Sequence, residues 1–205
     1  LIDKTVYMPH SMKALALASK EEIFGMNIPL SGSRSGRCII VMGVSGAGKT
    51  SVSEQISVCL GGVFVEADDY HPQSNIALMS SGQALEDYHR WPWLKAVAEA
   101  ALLEARLNQP YVIIACSALK RIYRDRLREM LGPVVFVHLT GSRSLIEKRM
   151  LARHSHFMPS VLLTSQFETL EPLERDEDGI VVSIEKPVKQ IVESLCTRFS
   201  DACSD

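Results

Sequence analysis

The sequence predicts an α/β fold, a five-stranded and mostly parallel sheet with helices on both faces, and three observations predict it. Short β-rich runs alternate with segments of helical periodicity along most of the chain. Two of those runs, residues 111–116 and 134–139, are almost continuously apolar, as strands covered on both faces are. The third observation is Gly43-Val44-Ser45-Gly46-Ala47-Gly48-Lys49-Thr50, a match to G-x-x-x-x-G-K-[ST] set between an apolar run and a helix-like segment.

Taken in order, residues 1–36 carry no countable core pattern and are expected to be an N-terminal extension, part of it vector-derived. The domain is expected over 37–205. Cys38-Ile39-Ile40-Val41-Met42 reads as the first strand, and residues 51–60 as the helix that leaves the glycine-rich loop. Gly61-Gly62 stops that helix, and Val63-Phe64-Val65-Glu66 is a second strand ending at Ala67-Asp68-Asp69-Tyr70-His71-Pro72. A short helix is expected over 73–79, with Asp69 as its cap, and a long one from about 86 to 108 with Trp91 and Trp93 as packing residues. The strand at 111–116 leads through Ser117 to a helix ending near Gly132. The strand at 134–139, helices over 142–151 and 159–170, a strand over 180–184 and a closing helix over 188–199 complete the chain.

Composition is that of a packed globular domain, 46% hydrophobic and 22% charged, and a formal charge of -2 gives no global reason to bind nucleic acid or an acidic membrane. No stretch approaches the roughly 20 apolar residues a spanning helix needs. Five scattered cysteines without a C-x-x-C pair read as reduced thiols, which points to the cytoplasm, and neither they nor the histidines supply four zinc ligands.

The glycine-rich loop predicts a phosphate cradle. Its glycines let backbone N–H groups of Gly43, Val44, Ser45, Gly46, Ala47 and Gly48 curl around phosphate oxygens, and Lys49 offsets their charge. The Thr50 hydroxyl suits Mg²⁺, and Ser51 lies in the helix N-terminus, whose dipole favours anions. In parallel sheets ligands sit beyond the carboxyl ends of the strands, so the loop, Glu66, Asp68, Ser117 and Lys120 are expected on one rim. Asp68 is the candidate to accept a proton from an acceptor hydroxyl, and a second candidate for the metal. Residues 118–153 hold nine basic side chains against three acidic ones, a net +6. Of these, Lys120, Arg124, Arg149 and Arg153 are expected to contact anions, whereas Arg121, Arg126, Arg128, Arg143 and Lys148 read as a solvated, ion-paired surface. No aspartate ends the strand at 111–116 and no N-K-x-D occurs, which favours a small-molecule kinase over a motor ATPase or GTPase.

The loop, Ala67-Asp68-Asp69-Tyr70-His71-Pro72, Trp91-Pro92-Trp93-Leu94, Ala115-Cys116-Ser117-Ala118-Leu119-Lys120, His156-Phe157-Met158 and Ser165-Gln166-Phe167-Glu168-Thr169-Leu170-Glu171 together resemble the gluconokinases of the shikimate-kinase-like P-loop group. That resemblance implies a nucleoside-monophosphate-kinase-like fold with a mobile lid over about 150–166. It implies transfer of the ATP γ-phosphoryl group, with Mg²⁺, to the 6-hydroxyl of D-gluconate, and a homodimer. Carried over, Asp68 would hold the acceptor hydroxyl, and His71, Arg90, Lys120 and Arg124 would line the gluconate pocket, with His156 and Gln166 beside them. Arg153 would touch the phosphates and Arg149 the nucleotide. Tyr88 and His89 depart from the family's acidic-rich run before Arg90. Two other readings are a kinase for another small acid, such as shikimate, and a nucleotide-binding switch module.

Overall fold

A computed structural model describes residues 37–107, 110–152 and 161–201. The extension therefore lies outside the described residues. Strand β1 (Arg37–Met42) feeds the glycine-rich loop and helix α1 (Lys49–Leu60), followed by β2 (Val63–Glu66) and a 3-10 turn (Ala67–Tyr70). Then come α2 (Gln73–Ser80), α3 (Asp87–Arg106), β3 (Tyr111–Ala115) and α4 (Arg121–Leu131). The chain continues through β4 (Val134–Thr140), α5 (Arg143–Leu151), α6 (Val161–Thr169), β5 (Gly179–Ser183) and α7 (Val188–Asp201). Of the expected lid, the two ends fall on α5 and α6, and 153–160 lie outside the described residues.

The five strands run in the order β2-β3-β1-β4-β5, and all four pairings are parallel. β1 is central because its apolar residues are buried on both faces. Ile39 and Val41 point into a core shared with Val52, Ile56, Ile191 and Leu195 from α1 and α7, while Ile40 and Met42 point into another with Trp93, Leu94, Val97 and Leu127 from α3 and α4. Each such large apolar side chain contributes about 1.5–3 kcal/mol on burial. A smaller cluster of Met79, Leu85 and Leu162 seats α6 against the α2 side of the molecule.

The chain leaves β1 for β2 on one side of the sheet, and β4 pairs with β1 on the other. The carboxyl end of β1 is thus the switch point at which a crevice opens. The loop at that end has little room. A Cβ on Gly43, where φ is 137°, would lie 2.7 Å from the Leu139 carbonyl oxygen, and one on Gly46, where φ is 82°, would lie 2.7 Å from Met150 Cγ of α5.

The expectation of reduced thiols is corrected for one pair: Cys59 of α1 and Cys196 of α7 form a disulfide, 137 residues apart. No local spacing could signal that pairing. Cys38 and Cys116 are free and buried, and burial pushes both thiols up to about 12.

Candidate active site

The phosphate loop connects β1 to α1, and α1 begins at Lys49 with Gly48 as N-cap and no side-chain cap. The first-turn N–H groups are thus left by the protein's own side-chain caps, the arrangement an anion needs. Lys49 Nζ folds back to 3.3 Å from the Val44 carbonyl oxygen, which keeps the ammonium over the loop. One residue on, the Thr50 hydroxyl donates to Glu66 Oε2 at 2.7 Å. Glu66 ends β2, and burial raises its carboxyl to about 6 even though the Thr50 hydrogen bond acts in the opposite direction.

Across from the loop, the turn after β2 is fixed by Trp93, whose indole N–H donates to the Ala67 carbonyl at 2.7 Å. The His71 ring stacks on Trp93 with centroids 4.3 Å apart, and its Nε2 lies 4.0 Å from Asp68 Oδ1. Burial lowers the His71 pKa to about 4, with the Arg90 charge adding to that and the Asp68 charge opposing it, so the ring is neutral at physiological pH. Asn75 bridges His71 and the His89 carbonyl from α2. Asp69 does not cap α2, as the sequence suggested, because Pro72 occupies that position without a side-chain bond. Asp69 turns toward the crevice instead, where burial and then the Asp68 charge raise its pKa.

Between the two walls lies a cavity of about 310 Å³. Ser45 and Lys49 reach it from the loop, Asp68, Asp69 and His71 from the turn, and Ser117 from the end of β3. Arg90 and Trp93 of α3 form its far side, Ile76, Met79 and Leu85 an apolar patch, and Gln166 of α6 closes over it. The Gln166 side-chain oxygen accepts from the Ser45 N–H at 2.6 Å.

The predicted basic residues separate. Arg90 is at the cavity and donates to the Leu85 carbonyl and to the Tyr123 hydroxyl, the latter at 3.2 Å. Lys120 caps α4 and is paired with Asp87 at 2.7 Å, beside the cavity rather than in its wall. Arg124, expected at the anion, is instead fully buried: Nε and Nη2 each contact Glu177 at 2.7 Å, and the carbonyls of Ala118, Leu119, Glu171 and Pro172 take the remaining donors. Arg149 on α5 donates to the Ile184 carbonyl at 2.8 Å. Arg153 and His156 lie outside the described residues. Arg121, Arg126, Arg128 and Arg143 are ion-paired, the first of them to Asp176, Asp125 and Glu174. Acidic residues between α6 and β5 thus offset much of the local basic surplus.

Sequence reasoning missed two participants. Asp87 accepts from both Lys120 and Tyr123, and Tyr123 in turn accepts from Arg90, a contact between residues 33 positions apart with no local pattern to announce it. Thr50, expected at the metal, is directly bonded to Glu66, expected on the same rim.

A family model described as an AAA domain matches residues 38–172. The chain is 42% identical over 156 residues to the thermoresistant gluconokinase of Escherichia coli K12, covering 76% of this chain and 89% of that protein. It is 43% identical over 163 residues to the gluconokinase of Gluconobacter oxydans 621H, covering 80% and 91% respectively. Among solved structures, a gluconokinase from Sinorhizobium meliloti 1021 superimposes with a TM-score of 0.70 at 43% identity, over 83% of this chain and 97% of that one. The Mycobacterium tuberculosis APS kinase CysC, at 13% identity and a TM-score of 0.57, shares the fold.

Proposed function

The chain belongs to the gluconokinase family of P-loop kinases, and from that premise we propose that it transfers the γ-phosphoryl group of ATP to the 6-hydroxyl of D-gluconate, giving 6-phospho-D-gluconate and ADP. One observation carries this reading: a single cavity joins the phosphate loop, through Ser45 and Lys49, to Asp68, His71 and Arg90. A phosphoryl donor on one side and a hydroxylated anion on the other would meet there.

Each side chain has work suited to its state. The loop N–H groups and Lys49 hold the β- and γ-phosphates and take up charge as the phosphoryl group moves. Asp68 accepts the hydrogen bond of the attacking hydroxyl and then its proton. Neutral His71 serves the acceptor's hydroxyls, and the Arg90 guanidinium suits its carboxylate. The bonded Thr50 and Glu66 oxygens are hard donors of the kind Mg²⁺ takes, so this corner fits the ion, with Asp68 two residues beyond Glu66. When bound, Mg²⁺ neutralises phosphate charge. Lys120 would reach the transferring group only by leaving Asp87. Arg149 and Arg153, with His156, fall in or beside the proposed lid, whose closure would exclude water from the transfer.

We further propose a homodimer acting in the cytoplasm, where ATP is supplied. No helix among the described residues is long and apolar enough to cross a membrane. The Cys59–Cys196 disulfide sits at the far end of α1 from the phosphate loop and leaves the site intact.

The test is a coupled ADP-release assay with D-gluconate, other sugar acids, neutral sugars, shikimate and nucleoside monophosphates. The highest kcat/KM is expected for D-gluconate. A better acceptor elsewhere in the panel, or ATP binding without turnover on any of them, would refute the assignment.

A further inference from the structure

Among the described residues, Arg90 is the cation that reaches the acceptor side of the cavity, and a guanidinium selects a carboxylate only if its fork is held in place. The Leu85 carbonyl, just ahead of helix α3, is one anchor. The other comes from α4, where the Tyr123 side chain is 1% exposed. Its hydroxyl donates to Asp87 Oδ1, which leaves its lone pairs to accept from Arg90 Nη1 at 3.2 Å. The same Asp87 oxygen receives Lys120 Nζ at 2.7 Å. The Tyr123 ring also faces both cations, with the Arg90 guanidinium carbon 5.3 Å and Lys120 Nζ 5.7 Å from its centroid. One buried phenol therefore orders two cations that belong to different helices.

We propose that Tyr123 is a positioning residue for the acceptor's carboxylate, holding Arg90 at the cavity wall and linking it through Asp87 to Lys120, so that the enzyme prefers an acid over its neutral analogue. This rests on the reading of the cavity as a sugar-acid site. Tyr123 lies behind the cavity wall rather than in it. It acts through Arg90, and its removal should alter recognition rather than phosphoryl transfer.

Tyr123→Phe keeps the ring and deletes both hydroxyl contacts. The acceptor KM should rise about 10-fold, the scale of one lost hydrogen bond to a charged group, with kcat and the ATP KM within about twofold of wild type. Preference for D-gluconate over the alditol of the same chain length should fall by a similar factor. In an Arg90→Met background the same substitution should add less than about twofold, because the group it positions is gone. A full tenfold effect in that background, or an unchanged acceptor KM in the single variant, overturns the proposal. If Tyr123→Phe unfolds at assay temperature, Asp87→Ala, at a partly exposed position, deletes the acceptor that orients the Tyr123 hydroxyl and should raise the acceptor KM with the same non-additivity against Arg90→Met, and an unchanged acceptor KM there overturns it equally. A wild-type enzyme that phosphorylates no sugar acid overturns both proposals, whereas activity with an additive cycle overturns this one alone.

Discussion

The Gln166 side-chain oxygen lies 2.6 Å from the Ser45 nitrogen, so helix α6 is hydrogen-bonded to the middle of the phosphate loop across the cavity mouth. A loop N–H of this kind suits a phosphoryl oxygen, and a charged oxygen forms the stronger bond, so arriving nucleotide should displace the neutral amide. Gln166→Glu would keep the geometry and place a carboxylate where phosphate must go. Its KM for ATP should rise by at least about 10-fold with a smaller effect on the acceptor, while Gln166→Ala should leave the ATP KM no higher than wild type. Steady-state kinetics with each substrate varied in turn would decide. An unaltered ATP KM in Gln166→Glu would mean that Ser45 N–H does not face the phosphates.

Asp68 stands between the metal corner and the acceptor wall, 4.0 Å from a neutral His71. Asp68→Asn preserves size and removes the base. Turnover should fall by at least ~10²-fold, the usual scale of a general base, with nucleotide affinity largely kept. Calorimetric titration with a non-hydrolysable ATP analogue, run beside the turnover assay, separates the two effects. Near wild-type turnover would remove Asp68 from the chemistry.

Much of this was legible in the residues because it depends on local pattern. The loop motif, the strand that feeds it and the αL glycine that ends α1 follow from short-range chemistry, and the apolar runs at 111–116 and 134–139 do lie at buried positions beside β1. The fate of individual cations was not legible. Lys120 and Arg124 sit four residues apart on one basic segment, yet one pairs with Asp87 beside the cavity and the other is sealed against Glu177, because their partners are 33 and 53 residues distant. Arg90 is placed by the same kind of long-range contact. Spacing reports which residues share a strand end; it does not report which carboxylate reaches them first.

His71 makes the fold sensitive to acid. Its pKa is about 4 in the folded protein, mainly through burial, against about 6.5 when unfolded. Below pH 6.5 the unfolded chain takes up a proton that the native site refuses, so native stability is lost as pH falls from 6.5 toward 4. His138, buried on β4 and also shifted downward by burial, acts in the same direction. Urea unfolding at pH 7, 5.5 and 4.5 should show the decline, and His71→Gln should reduce it by on the order of 1–3 kcal/mol. An identical pH profile in that variant would show that the His71 ring is protonated in the native protein.

The Arg124–Glu177 pair separates a structural cation from a substrate contact. Both side chains are fully buried, and Arg124 also binds the carbonyls of Glu171 and Pro172, the residues through which the chain leaves α6. Burial pushes the Glu177 pKa up, but the Arg124 hydrogen bonds, the Glu174 N–H and the Arg124 and Arg121 charges together outweigh it and leave the carboxyl lowered. Arg124→Met would leave that carboxylate without its main counter-charge in a dry site. The cost expected for breaking such a pair from one side is about 3–5 kcal/mol, whereas Arg124→Met with Glu177→Leu should recover much of it, because an apolar pair carries no desolvation penalty. Denaturant unfolding of wild type, single and double variants measures both. Because Arg124 lies outside the cavity wall, the double variant should retain an acceptor KM within a few-fold of wild type. A selective loss of acceptor affinity at undiminished stability would return Arg124 to the binding site, and would require Glu177 to release it when substrate arrives.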